Sequence, residues 1–262
     1  MYYSILLFVF VLFGQQAFGF SLNNNTGKGF SSNEIDVYVA DTDCSGAGFT
    51  TERYKALVSS AVKRFWNNVP TSALFLDVKG IRSDIDIDGD DHDAALNKVP
   101  RNSILAGCND SADQFSNASI LGSAKMKCSG SICYAVLILN AHPNSSLPDK
   151  DEGVIEDIIA HELGHAFGLG HSKLKPSLMY YSVSGKFQKW LGQDDIDGVT
   201  YLYPHDSEAD ILGMSLLGNC GSINMDDDNQ HGFFKSMLIG LILILLLGFF
   251  RKLFIRNLRG SL

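Results

Sequence analysis

Residues 161–171 read His-Glu-Leu-Gly-His-Ala-Phe-Gly-Leu-Gly-His, and the rest of the chain is best understood outward from them. On a helix, His161 and His165 are four residues apart and project from one face, so their imidazoles can share one ion. Gly168 and Gly170 follow. Glycine accepts backbone angles other residues resist, so the helix can end there and the chain can turn back. That return brings His171 within reach as a third ligand. Three neutral nitrogens leave a tetrahedral zinc ion with one open position, the arrangement used for catalysis rather than for structural sites. Glu162, next to the first ligand, is placed as a general base. Two histidines alone would suit an ordinary buried helix. Five specified positions in eleven residues are more than packing demands.

Around this stretch, apolar residues at Val154, Ile155, Ile158, Ile159, Leu163 and Phe167 predict a helix over residues 151–168. Upstream, Ile35, Val37 and Val39 alternate with Asp36, Tyr38 and Ala40, a strand pattern. A helix is predicted over residues 51–68, with Thr51 at the cap position and Leu57, Val58, Ala61, Val62, Phe65 and Trp66 on its apolar face. Residues 72–78 read as a second strand, and Ile85 and Ile87, between aspartates, as a third. Residues 88–118, rich in Asp, Asn and Ser, read as a long loop. Strands are expected over residues 119–126 and 134–140, and a last helix from Gln193 or Asp194 to just before Pro204. There are no internal repeats. The order β-α-β-β-β-β-α-α predicts an α+β domain.

The two ends differ from this middle. Residues 3–13 are apolar and uncharged and lead to small residues ending at Gly19, the pattern of a secretory signal peptide. Residues 236–250, SMLIGLILILLLGFF, together with Phe233 and Phe234, are long enough to cross a bilayer. Arg251, Lys252, Arg256 and Arg259 follow and are expected on the cytoplasmic side. The expected organisation is a signal peptide (1–19), a short polar leader (20–33), a catalytic-type domain (34–206), a stalk (207–232), a transmembrane segment (233–250) and a basic tail (251–262). The domain would lie outside the cytoplasm, in an extracellular or periplasmic space. The alternative for the C-terminal segment is a bacterial sorting signal removed in maturation. All 29 acidic residues precede residue 231, whereas five of the 21 basic ones follow it. The outer part is therefore strongly acidic, which argues against a nucleic-acid partner.

Five cysteines in an exported chain make disulfides the default. Cys128 and Cys133 bracket a turn and are expected to pair; Cys44 with Cys108 follows by elimination. Cys220 is left over, to link two chains, accept a modification or stay free. Sequons at Asn24, Asn109, Asn117 and Asn144 would matter in a glycosylating host.

The eleven residues fit the extended metzincin signature HExxHxxGxxH, and the following Ser172 gives the matrixin version. Leu178-Met179-Tyr180 resembles the matrixin L-M-Y turn, with Met179 eight residues past His171. LGQDDIDGVTYLY (191–203) resembles the family's final helix. The stretch at 56–78 resembles its first helix and second strand, and ILGSAKM (120–126) its substrate-flanking edge strand. The resemblance covers roughly residues 34–204. It implies a twisted, mainly parallel sheet of about five strands with an active-site helix and a C-terminal helix. It also implies a zinc endopeptidase acting on proteins or peptides outside the cytoplasm, with Met179 packed beneath the ligands.

The sequence departs from the family in three places. No propeptide-length segment or PRCG-type cysteine lies between residue 19 and the first strand. Residues 84–118 do not reproduce the family's loop for structural zinc and calcium. The acidic run Asp84, Asp86, Asp88, Asp90 and Asp91 is oxygen-rich enough for calcium, but an EF-hand match fails at Ala95, and a solvated acidic loop is the competing reading. The third departure is Tyr181, which replaces the usual proline two places after Met179. Astacins, another metzincin branch, use a tyrosine at that spacing near zinc. Tyr181 is therefore either an oxyanion donor or a residue lining the pocket. The competing function is a catalytically silent zinc-binding adhesion or interaction module. The presence of Glu162 argues against it.

Overall fold

The computed structural model describes residues 19–23, 27–111, 115, 117, 119–182 and 190–205. The expected signal peptide up to residue 18, and the stalk, Cys220, transmembrane segment and basic tail beyond residue 205, lie outside the described residues. Among the described residues no helix is long and apolar enough to cross a membrane.

The order of elements is β1 (Glu34–Ala40), α1 (Thr51–Ala61), β2 (Phe75–Arg82), α2 (His92–Lys98), β3 (Ser103–Asn109), β4 (Gly122–Ser129), β5 (Ile132–Asn140), α3 (Glu152–Phe167) and α4 (Gln193–Leu202). The five strands form one sheet in the order β2-β1-β3-β5-β4. The β1–β2, β1–β3 and β3–β5 pairs are parallel, and β4–β5 is an antiparallel hairpin. This is the α+β, mainly parallel five-stranded sheet expected from the sequence.

The alternation in β1 sends Ile35, Val37 and Val39 into the core with no exposure. On that face α1 and α3 pack, joined by Trp66, whose Nε1 donates to the Ala160 carbonyl at 2.9 Å. The helical stretch after α1 widens into a π turn, Val62–Trp66, in which Phe65 and Trp66 are both buried. The cap of α1 is Thr50, which accepts from the Arg53 N–H, and not Thr51, whose hydroxyl donates to the Thr42 carbonyl.

The opposite face of the sheet corrects the sequence reading. Ile85 and Ile87 form no strand. They follow a turn closed by Ile85 N donating to the Arg82 carbonyl, and plug a second apolar cluster with Ala95, Leu96, Val99, Leu105 and Phe115. Residues 88–118 are not one long loop, because they hold α2 and β3. Asp91 caps α2 by accepting from the Ala94 N–H at 2.7 Å. All seven residues of β3 are buried, since both faces of the sheet are covered there. A strand buried on both faces has no polar alternation to betray it.

Two disulfides brace this frame. Cys44–Cys108 ties the turn after β1 to the end of β3. Cys128 and Cys133 stand directly opposite each other in the β4–β5 hairpin, whose two-residue turn is opened by Gly130 at φ +62°.

Candidate metal centre

Helix α3 carries His161 and His165 on a buried face and ends at Gly168, whose φ of +125° is open to glycine but strained for other residues. The Leu169 N–H then folds back onto the Gly164 carbonyl at 2.8 Å. The redirected chain brings His171 to the two helical histidines. The ligand atoms of His161, His165 and His171 all lie within 4.8 Å of one another, the one such cluster among the described residues.

Backbone carbonyls set the tautomers. His161 Nδ1 lies 2.8 Å from the Leu178 carbonyl, and His165 Nδ1 lies 2.7 Å from the Leu169 carbonyl. A carbonyl only accepts, so each Nδ1 carries the proton and each Nε2 keeps its lone pair. His165 Nε2 and His171 Nε2 are 3.2 Å apart. Two nitrogens about 2.0–2.1 Å from a tetrahedral zinc ion would be about 3.3 Å apart, so this donor set fits zinc. Burial also pushes the pKa of His165 down to about 4 and lowers that of His171, which favours the neutral imidazoles a metal requires.

Glu162 is buried beside the triad, and burial pushes its carboxyl up to about 8. The start of β4 lies against it: a Cβ on Gly122 would stand 3.2 Å from Glu162 Cγ. Met179 is buried below α3, where Gly164 leaves it room. A side chain on Gly164 would overlap Met179 Sδ and press on Trp66 at 3.2 Å. Tyr181 follows on the surface, 67% exposed, with its ring 4.4 Å from that of Tyr180.

Two supports escaped the sequence reading. The first is Asp195, in the first turn of α4 and 1% exposed. Its carboxylate accepts from Leu178 N at 2.6 Å, Met179 N at 3.0 Å, Gly192 N at 2.8 Å and the Ser177 hydroxyl. Burial raises its pKa, while those four donors favour the charged form. It thereby fixes the turn whose Leu178 carbonyl orients His161. The only sequence signal was an acid in the final-helix motif.

The second support is the segment expected to be a polar leader. Leu22 pairs with Leu169, Gly170 N donates to the Ser21 carbonyl at 2.7 Å, and Asn23 N donates to the Gly168 carbonyl at 2.8 Å. Ser21 Oγ donates to the His171 carbonyl at 2.6 Å, and Asn23 Nδ2 to the His165 carbonyl at 3.0 Å. Gly170 is required here, because a Cβ would overlap Ser21 Oγ. Two polar residues far upstream, either side of Leu22, give no sign in sequence that they will clamp this loop.

The acidic run is occupied locally. Asp84 pairs with Arg82, Asp90 with Lys98 and Asp93 with Lys125, while Asp91 caps α2.

Comparison with known proteins agrees with this geometry. The Matrixin family model matches residues 45–204. Metalloendoproteinase 2-MMP of Arabidopsis thaliana is 44% identical over 50 residues, 19% of this chain and 13% of that protein. Interstitial collagenase of Oryctolagus cuniculus is 52% identical over 68 residues, 25% of this chain and 14% of the relative. Stromelysin-1 of Rattus norvegicus is 44% identical over 83 residues, 27% and 18% of the two chains. The matched stretches thus span less than a fifth of each relative's length. With the family model covering more than half of the sequence, the chain belongs to the matrixin family.

Proposed function

We propose that this chain is a zinc-dependent endopeptidase that hydrolyses peptide bonds of extracytoplasmic proteins. The observation that carries the reading is the convergence of three imidazoles, with Glu162, the residue after the first of them, buried and its stem against the start of edge strand β4. His161, His165 and His171 are the proposed ligands. Zinc, when bound, supplies a Lewis acid for water and carbonyl, and a positive charge that favours ionised Glu162. Glu162 takes a proton from the attacking water and passes it to the leaving amine. The outer side of β4 is an edge of the sheet, and an extended peptide can lie along it by backbone hydrogen bonds. Met179, filling the space below Gly164, keeps the ligand helix and the returning loop at fixed separation. Tyr181, exposed and with its ring against that of Tyr180, is proposed to line the path of a substrate side chain.

The purified full chain in detergent should cleave casein or gelatin, lose that activity to a zinc chelator and regain it with added zinc. Glu162→Ala should lower turnover about a hundredfold to ten-thousandfold while zinc stays bound. Wild-type turnover in that variant would remove Glu162 from its role. In the same assay Tyr181→Phe should keep near-normal turnover on its best substrate, since a lost oxyanion donor would cost roughly a hundredfold.

The apolar segment at 233–250 and its basic flank support attachment to a membrane, with the domain on the far side from the cytoplasm. Extraction of the full-length protein by alkaline carbonate would count against that attachment.

A further inference from the structure

Strand β4 is the last strand of the sheet, and its register says which groups face the open side. The Leu121 carbonyl accepts from Asn140 N at 3.0 Å, and Ser123 and Lys125 stand opposite Ile138 and Val136. Main-chain bonds in an antiparallel pair alternate from one residue to the next. Ser123 and Lys125 therefore turn their backbone toward β5, while Gly122, Ala124 and Met126 turn theirs outward.

The side chains alternate between the two faces of the sheet. Ala124 and Met126 pack against the core cluster that includes α1 and α3. Ser123 and Lys125 stand on the other face, across from Ile138 and Val136 of the second apolar cluster. The first turn of α2 meets them there. His92 Nε2 lies 3.0 Å from Ser123 Oγ, and Lys125 Nζ lies 2.8 Å from Asp93 Oδ1. Further along, a hollow of about 260 Å³ is lined by Leu96 and Asn97 of α2, Lys127 and Ser129 of β4, and Tyr134.

The two partners are unequally fixed. Helix α2 is capped by Asp91, buries Ala95 and Leu96, and is tied by Lys98 Nζ to the Asp86 carbonyl at 2.6 Å. Strand β4 is paired along one side only. Loss of a contact between them is therefore felt by β4. Its Gly122 lies against the Glu162 stem, one residue before Ser123. Of the two contacts, the Lys125–Asp93 pair is exposed and contributes little. The bond between His92 and Ser123 is part-buried and carries more.

We infer that His92 is a positioning residue for substrate binding: through Ser123 it holds β4 in line, so that the outward main-chain groups of Gly122, Ala124 and Met126 stay aligned for an extended peptide. The inference rests on the reading of β4 as the peptide-binding edge. His92 acts through Ser123 and touches no substrate.

The test uses the full chain in detergent and two peptides, four and ten residues long, spanning a casein site that the wild type cuts. The longer peptide can pair along β4, so wild type should have the higher kcat/KM on it. His92→Ala and Ser123→Ala should each lower kcat/KM on the longer peptide about threefold to tenfold, through KM, and leave the shorter one unchanged. The double variant should lose no more than either single one. His92→Gln, whose amide can also donate or accept, should restore most of the loss. In zinc-free protein, hydrogen exchange at the Ser123 and Lys125 amides should quicken in His92→Ala and return toward wild type in His92→Gln. Equal losses on both peptides, additive losses in the double variant, or unchanged exchange would overturn the inference. A wild type that gains nothing from peptide length removes the edge-strand reading, and the inference with it. A wild type that gains, beside a His92→Ala variant that keeps the whole gain, removes the inference alone.

Discussion

Residues 161–179 and residues 84–118 are both crowded with side chains that bind ions or cap backbones, and they use them differently. In the first stretch the polar groups converge. Three imidazoles meet, the outer nitrogens of His161 and His165 are held by the Leu178 and Leu169 carbonyls, and Asp195 fixes the turn from which one of those carbonyls comes. In the second the polar groups disperse. Asp84, Asp90 and Asp93 each pair with a basic residue, and Asp91 caps a short helix. The same residue types give a shared site only where spacing and glycine turns force them together. Elsewhere they satisfy the nearest backbone or cation.

The largest test of this contrast is Asp195→Ala. The substitution strands the Leu178 N–H and the Ser177 hydroxyl in the interior and the part-buried Gly192 N–H, while Met179 N keeps Ser177 Oγ at 3.1 Å. Each stranded donor costs about 1–3 kcal/mol, so a loss of roughly 3 kcal/mol or more is expected, or about 6–12 °C in Tm. Zinc affinity should fall with it, because His161 loses its fixed carbonyl partner. A Tm within about 2 °C of wild type would mean that the turn at Met179 holds itself.

The same arithmetic applied to the acidic stretch predicts a smaller effect. Asn109 is fully buried at the end of β3; its Nδ2 donates to the carbonyls of Ile87 and Asp90, and its Oδ1 accepts from Ser111 N at 2.7 Å. Asn109→Ala should cost about 2 kcal/mol in chemical denaturation and leave KM and kcat close to wild type. Loss of turnover with little loss of stability would instead tie this loop to the active site. The burial also predicts that folded protein carries no glycan at Asn109, whereas Asn144 is exposed. Peptide mapping of protein from a glycosylating host reads both positions.

Legibility in the sequence follows the same division. The ligand stretch could be read residue by residue because metal geometry dictates both type and spacing: His161, His165, Gly168 and His171 each satisfy a separate constraint. Alternation exposed β1, and the apolar period exposed α1 and α3. Strand β3 was hidden because ILAGC is buried on both faces and shows no period, and α2 because seven residues are too few to establish one. Ile85 and Ile87 mimicked a strand, since their alternation with aspartate reflects two plugs in an apolar cluster between turn-forming acids. Contacts made by Ser21, Asn23 and Asp195 with the metal loop were out of reach for another reason. Each joins positions separated by 16 to 150 residues, and a single polar side chain carries no mark of its distant partner.

The smallest effect is expected at Asp88, and it separates a solvated acidic loop from a calcium site. Asp88 is exposed, and its carboxyl is raised above the usual value, first by partial desolvation and then by the negative charge of Asp110, with Asp86 adding to it. The folded protein therefore holds this proton more tightly than the unfolded chain does. The stability this contributes is fully present below the ordinary aspartate value of about 4, and is lost as pH rises through the raised folded value. At neutral pH wild type keeps three like charges near one another, which Asp88→Asn relieves. The variant should then be equal to wild type or more stable by no more than about 0.5 kcal/mol, as befits a surface position. Most of that advantage should disappear near pH 4 or in high salt. Urea denaturation at the two pH values measures it. Added calcium should leave both midpoints unchanged. If calcium instead raises the wild-type midpoint and Asp88→Asn abolishes the rise, the acidic groups converge on an ion after all, and the contrast between the two stretches fails at its weaker end.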